Sequence, residues 1–418
     1  MDRLSAKATR QHLRDHNSRL VLRTIYDHGQ ISRADLARRT GLTRATVSAV
    51  VAALIDEGLV EEIGSGPAAV GRTPILLSVA ADARRLICVN LTGTELDGAV
   101  LNLRGAVQAR ERAALAGATG EALLERLDGF VGGLLHGDHG PLLGIGICTP
   151  GLIDTTHGVV RRASNIGWSD LPLRDLLQGR YRLPVYLVRD SHAVALAEYM
   201  FGPAPTSGNL LAVTVDQGVG AGVVLDGQIF TGDSFGAGEI GHVVVDDDGP
   251  PCLCGNRGCL EALIGAAGLL RYARALAQEL PGSPLGALAA GDVLDFAALA
   301  ELARQGDPAA LRLVGTVARY LGIALANLVG ALNIRRVLVT GALAPLGELL
   351  ATSLRSEVGQ RALPQLARAT SITVQPHVPE TPLFGVAALL LTHELGLNRV
   401  LNSDNLRFTI YDLRFTEG

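Results

Sequence analysis

His242, Cys252, Cys254 and Cys259 have the types and close spacing of a tetrahedral metal site. Thiolates are soft ligands that select zinc, and one imidazole completes a Cys3His shell. Three of the chain's five cysteines fall within eight residues, a clustering that scattered free thiols in a Gly-rich loop do not explain. A shell closed by four protein ligands leaves no position for a reactive water, so the expected metal is structural zinc and zinc hydrolysis is not the expected chemistry. Such a loop fixes the backbone beside two carboxylates, Glu239 and Glu261, with the His242 imidazole between them. Ionised carboxylates accept several hydroxyl hydrogen bonds, so the ligand that suits this constellation is a polyhydroxylated one, a sugar.

The elements that must position these residues belong to an ordinary globular chain. It has 418 residues, 48% hydrophobic and 19% charged, enough for two or three domains with their own cores. No run of about 18 apolar residues free of charge appears, and the polar, basic start lacks the apolar core of a signal peptide, so a cytoplasmic protein without a membrane partner is expected. Cys88 and Cys148, outside the cluster, lie in apolar runs and read as buried thiols rather than a disulfide framework. Charge is uneven: residues 1–80 hold 11 Lys and Arg against 8 Asp and Glu, while the whole chain carries a net −4. The basic end is where nucleic acid would bind.

Leu20, Val21, Ile25 and Tyr26 recur at helical spacing over 17–27, and Gly29 breaks the pattern. Ser32 followed by Asp35 is a capping pair that opens a short helix ending at Thr40, with Gly41 and Leu42 in the turn. Thr43 caps a third helix through about residue 57, with Val47, Val50, Val51, Leu54 and Ile55 on one face. This is the helix-turn-helix pattern, whose second helix enters the major groove by its first residues. Thr43, Arg44, Ala45 and Ser48 are therefore candidate DNA contacts. Residues 61–79, with Gly64, Gly66, Gly71 and Pro74, read as a two-stranded wing with Arg72, a fifth candidate, near its tip. A three-helix protein-interaction module shares the helix pattern; the wing glycines and Arg72, following in order, favour DNA.

Beyond Ala80 the pattern is α/β. Strands are expected at 86–91 and 97–103, a helix at 120–135 and a buried strand at 142–148. A second set begins near 210, with strands at 210–215, 222–225, 337–340 and 371–375. Two such lobes imply a cleft between them.

Glu-Ile-Gly-His at 239–242, nine residues, then Cys-x-Cys-Gly-x-x-Gly-Cys-Leu-Glu ending at Glu261 resembles the signature of the ROK family, which contains bacterial sugar kinases and sugar-responsive repressors. The resemblance covers about 84–395 and includes Gly-Ile-Gly-Ile-Cys-Thr-Pro-Gly at 144–151, Asn-Ile-Gly-Trp at 165–168, and Asp190. It implies an actin-like, ribonuclease-H-like fold of two lobes hinged over a cleft, in which Asp190, Glu239, His242 and Glu261 stand at sugar-contact positions and Asn165 is a further contact. Residues 1–80, including Gly-Arg-Thr-Pro at 71–74, resemble the winged domain of ROK repressors, which the kinases lack.

Departures from the kinase pattern bear on activity. Family kinases open with Asp-x-Gly-Gly-Thr-Lys, where this chain has Asn90-Leu91-Thr92-Gly93-Thr94-Glu95; a second phosphate loop, Gly-Thr-Gly-x-Gly, is replaced by Asp216-Gln217-Gly218-Val219-Gly220. A lost carboxylate, a β-branched residue for glycine and added negative charge all oppose phosphate binding. Asp190, the kinase general-base position, survives, but no catalytic residue is assigned. Arg189 and His192 replace two family asparagines, and Arg189 suits a ligand contact or an ion pair equally.

The expectation is a winged helix-turn-helix domain (1–80), a first α/β lobe (84–200), a second with the zinc loop (201–395), and a tail (396–418) of no assigned role. Its function would be a sugar-responsive repressor of carbohydrate-metabolism genes, binding operator DNA as a homodimer or higher oligomer. An ATP-dependent sugar kinase with an appended DNA-binding domain, or a regulator answering a partner protein, are the other readings.

Overall fold

Helix Arg10–His28 opens the described chain. It begins before the periodic stretch at 17 because residues 11–16 are all exposed and polar but for Leu13, showing no core-facing pattern to a sequence reader. An i,i+4 hydrogen bond from Gln11 Nε2 to Asp15 Oδ1 (2.8 Å) supports that turn instead. The computed structural model describes residues 10–65, 73–137, 139–202, 208–376 and 378–397; Arg72 and the tail from 398 lie outside them.

The winged domain forms for the local reasons its sequence advertises. Ser32 Oγ accepts from Asp35 N at 3.2 Å and starts helix Arg33–Thr40, which ends on Gly41 at φ +69°, a left-handed turn that glycine adopts without steric cost. Thr43 Oγ1 accepts from Thr46 N at 3.2 Å and starts helix Arg44–Asp56. Each cap stabilises its helix by about 1 kcal/mol. Val47, Val51 and Leu54 are buried, so the opposite face of this helix looks outward. Strands Val60–Ser65 and Ile75–Val79 form the wing, and Ile31–Ser32 adds a third strand to its sheet. Two residues are too few for an alternating pattern to announce that strand.

Two five-stranded sheets follow, with the same topology. The first runs Val185–Val188, Leu142–Cys148, Arg85–Leu91, Glu95–Asn102, Val107–Ala114; the second runs Ser371–Val374, Arg336–Gly341, Leu210–Val215, Val219–Leu225, Gln228–Ile229. In each, the central strand pairs antiparallel with the strand that follows it in sequence and parallel with a later one. This is one α/β frame built twice. Helices Gly120–Leu135 and Leu173–Tyr181 cover the first sheet through Leu123, Leu127, Val131 and Leu177. Helices Ala266–Glu279, Pro308–Leu332 and Gly347–Arg361 belong to the core of the second. Pro308–Leu332 is the one described helix long and apolar enough to span a membrane, but Leu313, Val317, Leu321, Leu325 and Val329 are buried in that core.

The described residues fall into two compact units. One holds the winged domain, the first sheet and the chain from Pro382; the other holds Ser191–Tyr199 and the second sheet up to Thr381. From sequence, the segment to 395 is expected in the second lobe; helix Thr381–Leu395 instead packs in the first unit. Val386 and Leu390 lie against Gly144 and Gly146, where side chains would collide, and Tyr186 Oη donates to Glu394 Oε1 at 2.6 Å. An apolar helix carries no mark of which sheet it will cover.

Candidate functional site

The cysteine loop is shaped by its own backbone before any metal is considered. Cys252 N donates to Asn256 O at 2.8 Å, Gly255 N returns to Cys252 O at 3.0 Å, and Leu260 N bonds Val243 O at 3.0 Å. Tyr320 Oη, from helix Pro308–Leu332, donates to Asp246 Oδ2 at 2.7 Å and ties the loop to the core. These contacts bring Cys254 Sγ to 3.6 Å from Cys259 Sγ and Cys252 Sγ to 3.7 Å from His242 Nδ1; all four ligand atoms lie within 4.8 Å of one another. An ion bound about 2.3 Å from sulfur and about 2.0 Å from nitrogen would set tetrahedral edges of about 3.8 and 3.6 Å. The donor set fits a metal of zinc's size. Burial and the neighbouring sulfurs push the Cys259 thiol up to about 12, whereas the Asn256 backbone holds Cys254 below the usual thiol range. A divalent cation among the sulfurs would offset their mutual repulsion.

His242 has a second face. Its Nδ1 points toward the sulfurs, and Nε2 lies 3.9 Å from Glu239 Oε2, so metal on one nitrogen leaves the other to orient a carboxylate or a ligand hydroxyl. Glu239 precedes the one-turn helix Ile240–His242, and Gly241 presses on the carbonyl of Val219, where a Cβ would collide. Val219 N in turn donates to Glu261 Oε2 at 3.0 Å, an approach open because Gly218 has no side chain: a Cβ there would sit 2.6 Å from that oxygen. Glu261 thus caps the 216–220 turn rather than its own helix, Leu260–Ile264. Val219 is the strut between Glu239 and His242 on one side and Glu261 on the other.

The turns at 92–95 and 216–220 are bonded to the chain's own side chains. Thr92 Oγ1 accepts from Thr94 N at 3.2 Å and from Glu95 N at 3.0 Å, and Thr92 N itself donates to Glu95 O at 3.0 Å. Asp216 Oδ1 accepts from Ala342 N at 2.8 Å, beside Gly341, where a Cβ would lie 2.8 Å from the same oxygen. With the Glu261 bond to Val219, three side chains hold backbone amides at 94–95, 219 and 342. From sequence, Asp216 reads as misplaced charge; in the fold it links two loops.

In the first unit, Asn165 lies beside the 92–95 turn, its Nδ2 3.8 Å from where a Gly93 Cβ would stand. Asp190 is exposed at the start of helix Asp190–Phe201. Burial first, and the Asp190 charge second, raise the Cys148 thiol well above its ordinary range, which places Asp190 beside that inert cysteine. Arg189 is buried; His192, buried in the second unit, bonds Ala237 O through Nε2 at 3.1 Å. Asp190 and Asn165 belong to one unit, and Glu239, His242 and Glu261 to the other.

Thr43, Arg44, Ala45 and Ser48 are all exposed on the outward face of helix Arg44–Asp56. Ala49 and Ala52 continue this face at helical spacing, a strip of small side chains that sequence reasoning passed over. Arg33 pairs with Glu62 at 2.8 Å and Arg38 with Asp35, while Arg44 is exposed at the start of the recognition helix.

A helix-turn-helix wing joined to a duplicated five-stranded frame with a Cys3His loop defines a DNA-binding regulator built on the actin-like, ribonuclease-H-like fold. The chain belongs to the ROK family, whose profile matches residues 86–393, and a winged helix-turn-helix DNA-binding profile matches 14–61. It is 32% identical over 388 residues to the xylose repressor of Caldicellulosiruptor bescii, covering 92% of this chain and 97% of that one. It is 33% identical to the Thermotoga maritima glucokinase, over 73% of this chain and 97% of the enzyme. Among solved structures, a ROK family transcriptional regulator described as a homolog of the E. coli MLC protein superposes with TM-score 0.81 at 25% identity, over 92% of this chain and 98% of that one.

Proposed function

We propose that the protein is a cytoplasmic transcriptional repressor of sugar-metabolism genes, binding operator DNA as a homodimer and a neutral sugar through Asp190, Asn165, Glu239, His242 and Glu261. The observation that carries this reading is a correctly capped, outward-facing recognition helix on a sugar-kinase frame whose phosphate turns are bonded to the chain's own side chains. Carboxylates and an imidazole accept and donate to sugar hydroxyls without needing a phosphate. The homodimer follows from the DNA-binding module, since helix-turn-helix proteins commonly read paired half-sites related by two-fold symmetry. Zinc held by His242, Cys252, Cys254 and Cys259 would be structural, fixing the backbone on both sides of the ligand residues. Arg72 is proposed as a wing contact to DNA. D-xylose is the first effector to test, given the repressor relatives.

The same observation sets this reading against a sugar kinase. Phosphoryl transfer depends on electrostatic stabilisation of a multiply charged group, and Asp216, Glu95 and Glu261 place negative charge near the turns instead. The test is ADP release with ATP, magnesium and either D-xylose or D-glucose, run beside selection of bound duplexes from a random pool. No turnover above background and an enriched palindromic duplex are expected. Turnover that disappears in Asp190→Asn would overturn the assignment in favour of a kinase.

A further inference from the structure

One segment of the first unit touches both the DNA-binding module and the helix that begins at Asp190. It is the turn from Asn102 to Gly105, between strands Glu95–Asn102 and Val107–Ala114. Asn102 is buried and bonded through both ends of its amide: Oδ1 accepts from Arg104 N at 3.0 Å and Ala106 N at 2.9 Å, and Nδ2 donates to Asp82 Oδ1 at 2.9 Å in the segment leading from the wing. The turn so fixed aims Arg104 at the end of helix Arg10–His28. Arg104 Nη1 donates to Tyr26 O at 2.7 Å, and its guanidinium carbon stands 4.5 Å from the Tyr26 ring centroid.

That carbonyl would lack an intrahelical partner. Gln30 N, which a continuing helix would send to Tyr26 O, bonds His28 O instead. A cation at a helix C-terminus is favoured by the helix dipole, and the planar guanidinium adds an aromatic contact. Burial pushes the Tyr26 phenol up to about 12 even beside this arginine, and both side chains of the contact are half-buried. The recognition helix is held the same way. Arg84 Nη2 donates to Glu57 O at 3.2 Å, at the C-terminal end of helix Arg44–Asp56. Backbone bonds from Ala80 N to Leu59 O (3.0 Å) and from Leu103 N to Ala81 O (2.9 Å) leave the connecting segment anchored at both ends.

The other side of the turn faces helix Asp190–Phe201. Gly105 has φ +83°, and a Cβ there would come within 3.4 Å of Phe201 and 3.7 Å of Phe384. Phe201, the last residue of that helix, packs edge-on against Phe384 at 5.9 Å. Phe201, which lies with the first unit, ends the helix that starts at Asp190, and the turn it lies against also carries Arg104 onto the first helix of the winged domain.

We propose that the Asn102–Gly105 turn transmits the ligand-dependent position of helix Asp190–Phe201 to the DNA-binding module, with Arg104 and Arg84 as positioning residues that clasp two helix ends. The proposal rests on the sugar-responsive repressor reading, so its test has an arm that needs neither sugar nor operator. Full-length, zinc-loaded wild type is compared with Arg104→Ala, Arg104→Lys and Phe201→Leu by hydrogen exchange. In Arg104→Ala, amides over 22–30 are expected to exchange on the order of tenfold faster, with the first sheet unchanged. Lysine, which keeps the charge but not the planar stack, is expected to fall between.

In the second arm, affinity for a duplex selected by the wild-type protein is measured with and without D-xylose or D-glucose. A sugar effect of roughly 5- to 150-fold in wild type should shrink below about twofold in Arg104→Ala and weaken in Phe201→Leu. Sugar affinity without DNA, zinc content and the salt slope of random-duplex binding should stay as in wild type. A full sugar response in Arg104→Ala overturns the proposal, and so does a salt slope lowered by about one, which would make Arg104 a phosphate contact. If wild type answers neither sugar, the repressor reading loses its effector; unchanged exchange over 22–30 would then overturn the clasp as well, while faster exchange would uphold it.

Discussion

Cys254→Ser protein is expected to purify with far less than one zinc per chain, whereas wild type carries one, and its thermal midpoint should no longer respond to a chelator. Cys254 is the informative ligand because its side chain is exposed, unlike the fully buried Cys259. Replacing it removes a donor and little else. Structural zinc contributes about 10–16 kcal/mol in small zinc modules, and even changes one shell out cost about 10- to 100-fold in affinity, so loss of a direct ligand should exceed 100-fold or so. The consequence should reach the ligand residues, because His242 is a cluster ligand and Glu261 follows Cys259 by one residue of helix. Leu253→Ala is the control: Leu253 is fully exposed inside the same loop and should change neither zinc nor stability. Carefully purified wild type without zinc would refute the assignment.

DNA affinity is expected to reside in the winged domain and to fall steeply with salt. Arg and Lys contacts to phosphate release condensed counterions, so the slope of log affinity against log salt counts those contacts. Arg44 is the decisive residue, exposed at the start of the recognition helix beside Thr43, Ala45 and Ser48. If it forks onto a guanine, Arg44→Ala should cost about 1–3 kcal/mol per half-site and relax specificity at one base. Two half-sites in a dimer would double that loss. If the arginine touches only phosphate, the loss should be equal on all duplexes and the salt slope should fall by about one per subunit. A duplex affinity independent of both Arg44 and salt would place DNA binding elsewhere or nowhere.

Much of this was legible wherever local chemistry decides the outcome. Ser32 and Thr43 read as caps and are caps, Gly41 reads as the turn and has positive φ, and His242 and the three loop cysteines read as a cluster and converge. Two α/β sets were legible, but the shared order of strands in the two sheets was not, because it is set by hydrogen-bond pairing between strands far apart in sequence. Residues acting on distant backbone were equally hidden: Asp216 reads as misplaced charge and Glu261 as a ligand contact, yet one bonds Ala342 N and the other Val219 N. Arg104 and Tyr26 meet across 78 residues, a separation at which no periodicity speaks. Arg72 lies outside the described residues, so the wing tip stands on sequence alone.

The central claim is that a sugar and an operator act on one chain through one equilibrium. We propose that a ligand held by Asp190, Glu239, His242 and Glu261 and the operator select among the same conformations of the chain. The most direct measurement is a sugar titration by calorimetry with and without saturating operator duplex. The affinities should differ by roughly 5- to 150-fold, and reciprocity requires the sugar to change operator affinity by the same factor. Identical sugar affinity in both titrations would contradict the account and leave the regulator under the control of a partner other than sugar.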